Sequence, residues 1–200
     1  MRDWIIALLL APTVALAAPP SSHIAPPAAT SDDSDCMISL KAIKHPAPRF
    51  ADYPVAAEPN LRPAPLVITP DIRSVRTNLR RSYDRGLIFA GHYMVAAVFA
   101  GTSGMMWVIV DARTGRVVPK ARGGWWFGDL DDDAFKGFDV RQGYPGIRFR
   151  RDSRLVIFLG RSDGGDDPEG VTYYEWVGDH LKRILFVPKA ESCVQRSIDQ

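Results

Sequence analysis

Read for the spacing of its apolar residues, this chain of 200 residues changes character three times. Ile5 to Ala11 is an unbroken apolar run. From Ala18 to Leu66 bulky apolar residues are sparse and prolines recur. Between Thr69 and Gly86 the spacing is helical: Ile72, Val75, Leu79 and Tyr83 follow one another at intervals of three and four, which places them on one face. Thr69-Pro70-Asp71 supplies an N-cap hydroxyl, a proline at the first helical position and an acid in the first turn. Gly86 is placed to end the helix. The pattern predicts one amphipathic helix over Pro70 to Asp84. Arg73, Arg76, Arg80 and Arg81 lie elsewhere on the wheel. They read either as the solvated side or as a face for an acidic partner or anionic surface.

Beyond Gly86 the pattern is that of strands. Leu87 to Phe99 is rich in aromatic and β-branched residues. Trp107 to Val110 and Arg116 to Val118 flank the turn Asp111-Ala112-Arg113-Thr114-Gly115, which makes a β-hairpin. Leu155 to Gly160 is a buried-strand run, and Val171 to Val177 turns at Gly178-Asp179 into His180 to Val187. About seven short strands at this spacing predict a mainly β fold. It is an antiparallel meander or a partial β-propeller-like sheet, with the helix on its N-terminal side. The hairpins around Gly115 and Gly178 are similar to half-blades of a propeller.

The start of the chain changes the picture of where it works. A charged beginning, a short apolar core and Ala15-Leu16-Ala17 form a cleavable secretory signal over residues 1–17. The apolar run is about half of the roughly 20 residues a bilayer span needs, and Pro12 ends it. The mature chain is therefore expected to be periplasmic or secreted, with no transmembrane segment. Ala18 to Asp35, rich in Pro, Ala, Ser and Asp, cannot bury enough surface to offset its ordering entropy and reads as a disordered tether. Residues 36–200 then form a single β-rich domain, with Cys36 to Leu66 extended over its surface and a short strand at Met37 to Ile43.

Composition adds two points. A formal net charge of +2 argues against nucleic-acid binding. Two cysteines in an exported chain, Cys36 and Cys193, point to a disulfide that closes most of the domain.

Candidate chemistry is thin. Asp129-Leu130-Asp131-Asp132-Asp133 begins like a calcium loop, but Ala134 and Val140 stand where that loop needs Gly and Glu. Asp163 to Glu169 offers further carboxylates without a recognised spacing, so calcium is the one cofactor left open and no metal ligand is assigned. Gly101-Thr102-Ser103-Gly104 falls one residue short of a nucleophile elbow. The four histidines are scattered, and His92 sits in an apolar stretch where its ring needs a partner. Gly123-Gly124-Trp125-Trp126-Phe127-Gly128 is either an aromatic binding platform or core filling.

Phe89-Ala90-Gly91-His92-Tyr93, Gly101-Thr102-Ser103, and Val110-Asp111-Ala112-Arg113-Thr114-Gly115-Arg116-Val117 stand in a telling order. Together they resemble a largely uncharacterised family of small exported bacterial β proteins. That family carries F-A-G-H-Y, a W-G-C-G-T-x-C-like loop, and I-D-x-x-T-G-x-V. The likeness runs more loosely through Phe149 to Phe158 and Tyr173-Tyr174-Glu175-Trp176. Ala100 and Met105 occupy the region of the family's loop cysteines, so a local loop disulfide is not expected. The resemblance implies a periplasmic β protein that is not an enzyme. Some periplasmic proteins of similar build are inhibitors or immunity proteins against lysozyme-like toxins. Certain lysozyme inhibitors insert an S-G-x-x-Y-type loop into the enzyme cleft, and Ser103-Gly104-Met105-Met106-Trp107 is similar to it, with Trp in place of Tyr.

The expected function is therefore a non-catalytic binding protein of the cell envelope, with a protein partner and peptidoglycan as a second candidate ligand. Ser103, Gly104, Trp107, Trp125 and Trp126 are its expected contact residues. The alternatives are a cell-wall or glycan-active hydrolase, which would need paired carboxylates among Asp129 to Asp133, Asp139 and Glu175, and a structural envelope protein.

Overall fold

The computed structural model describes residues 36–99, 104–131, 143–162 and 167–195. The expected signal peptide and tether, Ala100 to Ser103, Asp132, Asp133, Asp139 and Asp163 to Asp166 lie outside the described residues.

Two four-stranded antiparallel meanders build the domain. The first is β2 (Ile88–Phe89), β3 (Tyr93–Phe99), β4 (Gly104–Asp111) and β5 (Arg116–Trp126). The second is β6 (Ile147–Phe149), β7 (Leu155–Gly160), β8 (Gly170–Trp176) and β9 (Leu181–Pro188). The hairpins at Gly115 and Gly178 join the third and fourth strands of their respective sheets, and each glycine has positive φ. Each of those two pairings also carries a register shift, at Val108/Val110 and at Tyr173/Tyr174. The likeness between the two hairpins is thus one of position within a repeated meander.

Alternation along the strands gives each sheet two apolar faces. Val95, Ala97, Trp107, Ile109 and Trp125 of the first sheet pack with Val156, Phe158 and Trp176 of the second, so the sheets stack face to face. Met94, Ala96, Val98, Val108 and Val110 face the other way, under Ile72, Leu79 and Tyr83. Leu155, Ile157, Leu159, Val171 and Tyr173 form the outer face of the second sheet, covered by Ile38, Leu40, Phe50 and Tyr53.

The helix begins as a 3-10 segment, Pro70–Val75, and continues as α1 (Arg76–Tyr83). Ile72, Leu79 and Tyr83 are buried, while Arg73, Arg76, Arg80 and Arg81 are exposed, as the spacing requires. The expected Thr69 cap does not form; its hydroxyl donates to the Asp71 carboxylate and accepts no backbone N–H. Gly86 follows the helix at φ 70°.

Three strand expectations change. Leu87 to Phe99 is broken by a tight turn at Ala90-Gly91-His92, with Ala90 at φ 43° and Gly91 at φ 87°. Arg116 to Val118 extends to Trp126 despite Pro119, because β5 is an edge strand and the proline falls within the register shift. The strand near Met37 is only β1 (Cys36–Ile38), followed by a 3-10 turn, Leu40–Ala42.

The N-terminal part of the domain is a strap. Single backbone hydrogen bonds fasten it at Val55 to Asp152, Glu58 to Gly91, Ala64 to Ala112 and Val67 to Gly115. Its first strand pairs antiparallel with β10 (Cys193–Gln195), and Cys36 is disulfide-bonded to Cys193, with Cα atoms 5.6 Å apart. The bridge closes a sequence separation of 157 residues. Chain-entropy reasoning gives such a closure about 5 kcal/mol. A Cys36→Ala, Cys193→Ala variant is expected to lose up to that much in denaturant unfolding. A loss below about 1 kcal/mol would show that the strap is held by its apolar contacts instead.

Candidate functional site

β5 determines where the aromatic platform goes. Its side chains alternate, so Trp125 and Trp126 cannot face the same way. Trp125 is fully buried, and its Nε1–H donates to the Leu159 carbonyl at 2.9 Å. Its ring lies against Phe127 and Phe158. Trp126 is 41% exposed. Trp107, directly across from Gly123 in the β4–β5 register, is buried, with its ring over the glycine and tilted against Phe158 at 5.6 Å. Gly104 is buried at the start of β4, opposite Trp126. Trp107 and Trp125 are thus core residues whose rings offer no surface to a partner. This corrects the sequence-based expectation for both, and Trp126 alone of the three tryptophans remains accessible.

A second exposed aromatic, absent from the sequence-based set, lies at the same end of the sheet. Phe99 closes β3, is 63% exposed, and stands opposite Met105, which in turn stands opposite Trp125. Phe99 and Trp126 therefore stand at the same end of the sheet, on the two strands beside β4, with Phe99 on the face of Met105 and Trp125 and Trp126 on the opposite face.

Beside Phe99 lies a groove of about 290 Å³ between α1 and β3. Asn78 and Arg81 of α1, with Arg85 just beyond it, form one wall, and Val98, Phe99 and Met105 form its sheet wall. Its floor is a buried polar hub. β2 ends at Phe89, which leaves the later half of β3 without a strand partner on that edge. The Ala97 N–H is received there by Ser82 Oγ at 2.8 Å and by the Tyr144 hydroxyl at 3.0 Å. The Ser82 and Tyr144 hydroxyls also bond each other, and the Tyr144 O–H lies 3.3 Å from the Val95 carbonyl. Side chains thus replace a missing strand. Arg85 steadies the hub by donating to the Gly143 carbonyl at 2.7 Å, with its guanidinium 4.7 Å from the centre of the Tyr144 ring. Ser82 and Tyr144 carried no motif in sequence; only their fully buried setting identifies them.

His92 occupies the opposite end of β3, on the strained turn. Gly91 has no Cβ because the Ala56 carbonyl lies where one would go. The turn is pinned by Ala90 N–H to the Arg150 carbonyl and Gly91 N–H to the Arg151 carbonyl, so the first turns of the two meanders meet. The His92 ring stacks on Tyr93 at 4.2 Å, and its Nε2 is 3.8 Å from Asp111 Oδ1. Arg113, paired with Glu58 at 3.0 Å, lies nearby. Asp111 Oδ1 is itself taken up by the Arg113 backbone N–H at 2.9 Å, which stabilises the hairpin turn. This arrangement orders a corner and presents no nucleophile.

Three further carboxylates are engaged elsewhere. Glu175 pairs with Arg154, Glu169 with Lys189, and Asp167 accepts from Ser162. Among the described residues no group of three or more His, Cys, Asp or Glu is placed to hold a metal ion, and no helix is long and apolar enough to cross a membrane. Comparison with protein-family models, curated proteins and solved structures finds no match to the chain.

Two predictions follow from these positions. Trp107→Ala is expected to cost about 3–5 kcal/mol of stability, the usual range for emptying a buried tryptophan site. Trp126→Ala is expected to cost within about 0.5 kcal/mol. Equal losses in denaturant melts would contradict the inside-outside assignment. The second concerns pH. Burial, followed by the charge of Arg113, holds the His92 imidazole below its ordinary value of 6.5, against the opposing pull of Asp111 and Glu58. The unfolded chain therefore binds the proton more readily than the folded one, and stability rises with pH across the gap. This contribution is complete above pH 6.5 and is lost as pH falls through the lower folded value. The melting temperature of wild type should fall more steeply from pH 7 to 5 than that of His92→Gln, and parallel slopes would refute the assignment.

Proposed function

We propose that this chain is an exported, non-catalytic binding protein of the cell envelope. It docks a protein partner through the end of the first sheet that carries the β3–β4 connection. The observation that carries this reading is the exposure of both Phe99 and Trp126 at that end, one on each face of the sheet. Among the described residues they are the exposed large aromatics, and both stand at that one end. A single exposed ring is ordinary on a protein surface; two at one end of a sheet support a contact that wraps around that end. Tryptophan and arginine dominate binding hot spots, and the Arg81 groove adjoins Phe99. An enzyme that cleaves glycans with paired carboxylates fits such an end as partner, since its cleft is acidic where the arginines are basic. Inhibition of, or immunity to, a lysozyme-like enzyme is the form of the function that this favours.

The experiment is capture from envelope extract with the mature chain beginning at Ala18. Wild type is expected to retain a stoichiometric protein partner in salt. The single Trp126→Ala variant should weaken capture, and the Phe99→Ala, Trp126→Ala double variant should abolish it, with melting temperature nearly unchanged. A double variant that still captures the partner, or a wild type that binds only purified peptidoglycan, would overturn the proposal.

A further inference from the structure

The helix carries a charge arrangement that works against its own stability. Arg73, Arg76 and Arg80 recur at intervals of three and four, and Arg81 stands beside them. Like charges at those intervals repel along a helix. Six arginines elsewhere, Arg49, Arg113, Arg122, Arg150, Arg154 and Arg183, each meet a carboxylate. Among the described residues Arg73, Arg76, Arg80 and Arg81 meet none, and all four are exposed. In a chain of net charge +2 this is a local concentration of positive charge with no ion-pair partner among the described residues.

Arg81 is the member of this set that reaches the groove beside Phe99. A guanidinium has a planar fork that takes a carboxylate through two parallel hydrogen bonds. Asn78, one turn earlier on the same wall, offers an amide N–H to the same group. Opposite them Val98, Phe99 and Met105 form an apolar wall. Arg85 is already committed to Gly143 and Tyr144, so the hub holds the groove open without consuming Arg81.

We propose that this groove receives an acidic segment of a protein partner, with one carboxylate on Arg81 and Asn78 and the adjoining apolar side chain against Phe99. Arg73, Arg76 and Arg80 attract the acidic surface around it and speed its approach. The inference rests on the binding reading above and names the chemistry the partner must present. A flat lipid surface fits less well, because the aromatic contact is the wall of a groove that a single side chain enters.

The probe is a fluorescein-labelled twelve-residue peptide of alternating Glu and Phe, titrated into the full mature chain. Poly-glutamate and anionic phosphatidylglycerol vesicles are run in parallel. The peptide is expected to bind more tightly than poly-glutamate and to weaken as salt rises from 50 to 300 mM. It should also shift the backbone amide resonances of Asn78, Arg81, Val98 and Phe99. Arg81→Glu should weaken it at least tenfold. Arg116→Glu, an equal charge change at the far end of β5, should leave it unchanged. Arg81→Gln, which reverses no charge, should give an intermediate loss and guards against a folding defect. Equal effects of Arg81→Glu and Arg116→Glu, equal binding of poly-glutamate, or binding of the vesicles alone would each overturn the groove assignment. Should Trp126→Ala abolish capture of the envelope partner while the peptide leaves the groove unshifted, the binding reading stands and this inference falls. The converse result would keep the groove and remove the Trp126 contact.

Discussion

The burial of Trp125 sets the arrangement of everything around it. Its ring fills the space between the two sheets, its indole N–H is spent on the Leu159 carbonyl of the second sheet, and Gly146 lacks a Cβ where that ring passes. Burying an indole with its polar atom satisfied joins a large apolar area to a specific hydrogen bond, so one residue fixes both the distance and the registry of the sheets. Adjacent residues of a strand point in opposite directions, so placing Trp125 inside places Trp126 outside. The Trp126 backbone then exchanges both of its hydrogen bonds with Arg161, at 2.9 and 2.7 Å, and ties the end of β5 to the end of β7. Trp126 cannot retreat from solvent without breaking that tie.

The same logic of satisfied backbone explains the far edge of the first sheet. β2 is two residues long, so most of β3 would present bare donors and acceptors on that side. α1 and Tyr144 close the gap with hydroxyls, which links the helix to the sheet by directional bonds as well as by the apolar contacts of Ile72, Leu79 and Tyr83. A hydroxyl is a short substitute for a strand. It satisfies Ala97 but leaves space above it, and that space is the groove. The groove is thus a consequence of how the edge is capped, and its walls are held by groups that a ligand need not displace.

What could be read from sequence follows the reach of local rules. The helix, both glycine-turn hairpins and the two-cysteine clasp depend on spacing within a few residues or on there being just two cysteines to pair, and each stands where it was expected. The destination of a tryptophan run does not depend on local spacing. Gly123-Gly124-Trp125-Trp126 suits a platform and a core equally until the opposing sheet is known to lie over one face. The turn at Ala90 was hidden for a related reason. Alanine at φ 43° is unfavourable on its own, and it is the pull of Arg150 and Arg151 on neighbouring amides that holds it there. Tyr144, fixed by contacts 47 to 62 residues away in sequence, left no local signal at all.

The arginine stripe shows how a readable pattern can stay ambiguous until the fold supplies the comparison. On the wheel, Arg73, Arg76, Arg80 and Arg81 are what any amphipathic helix shows to water. Solvation alone, however, does not require arginine, nor four like charges in a row. It would be met equally well by a mixture with glutamate, which would add favourable pairs to the helix instead of repulsion. Asp71, the nearest acid at the helix start, is drawn away to Arg122 on β5. Asp84, at the other end, lines the groove of Pro63 to Leu66 together with Arg80 but forms no ion pair with it, and Arg81 faces the groove lined by Phe99. The local repulsion is small and the net stability of a domain this size tolerates it. Its persistence beside an exposed aromatic is best understood as one arrangement, in which charge brings a partner to the groove and the Phe99 ring holds it there.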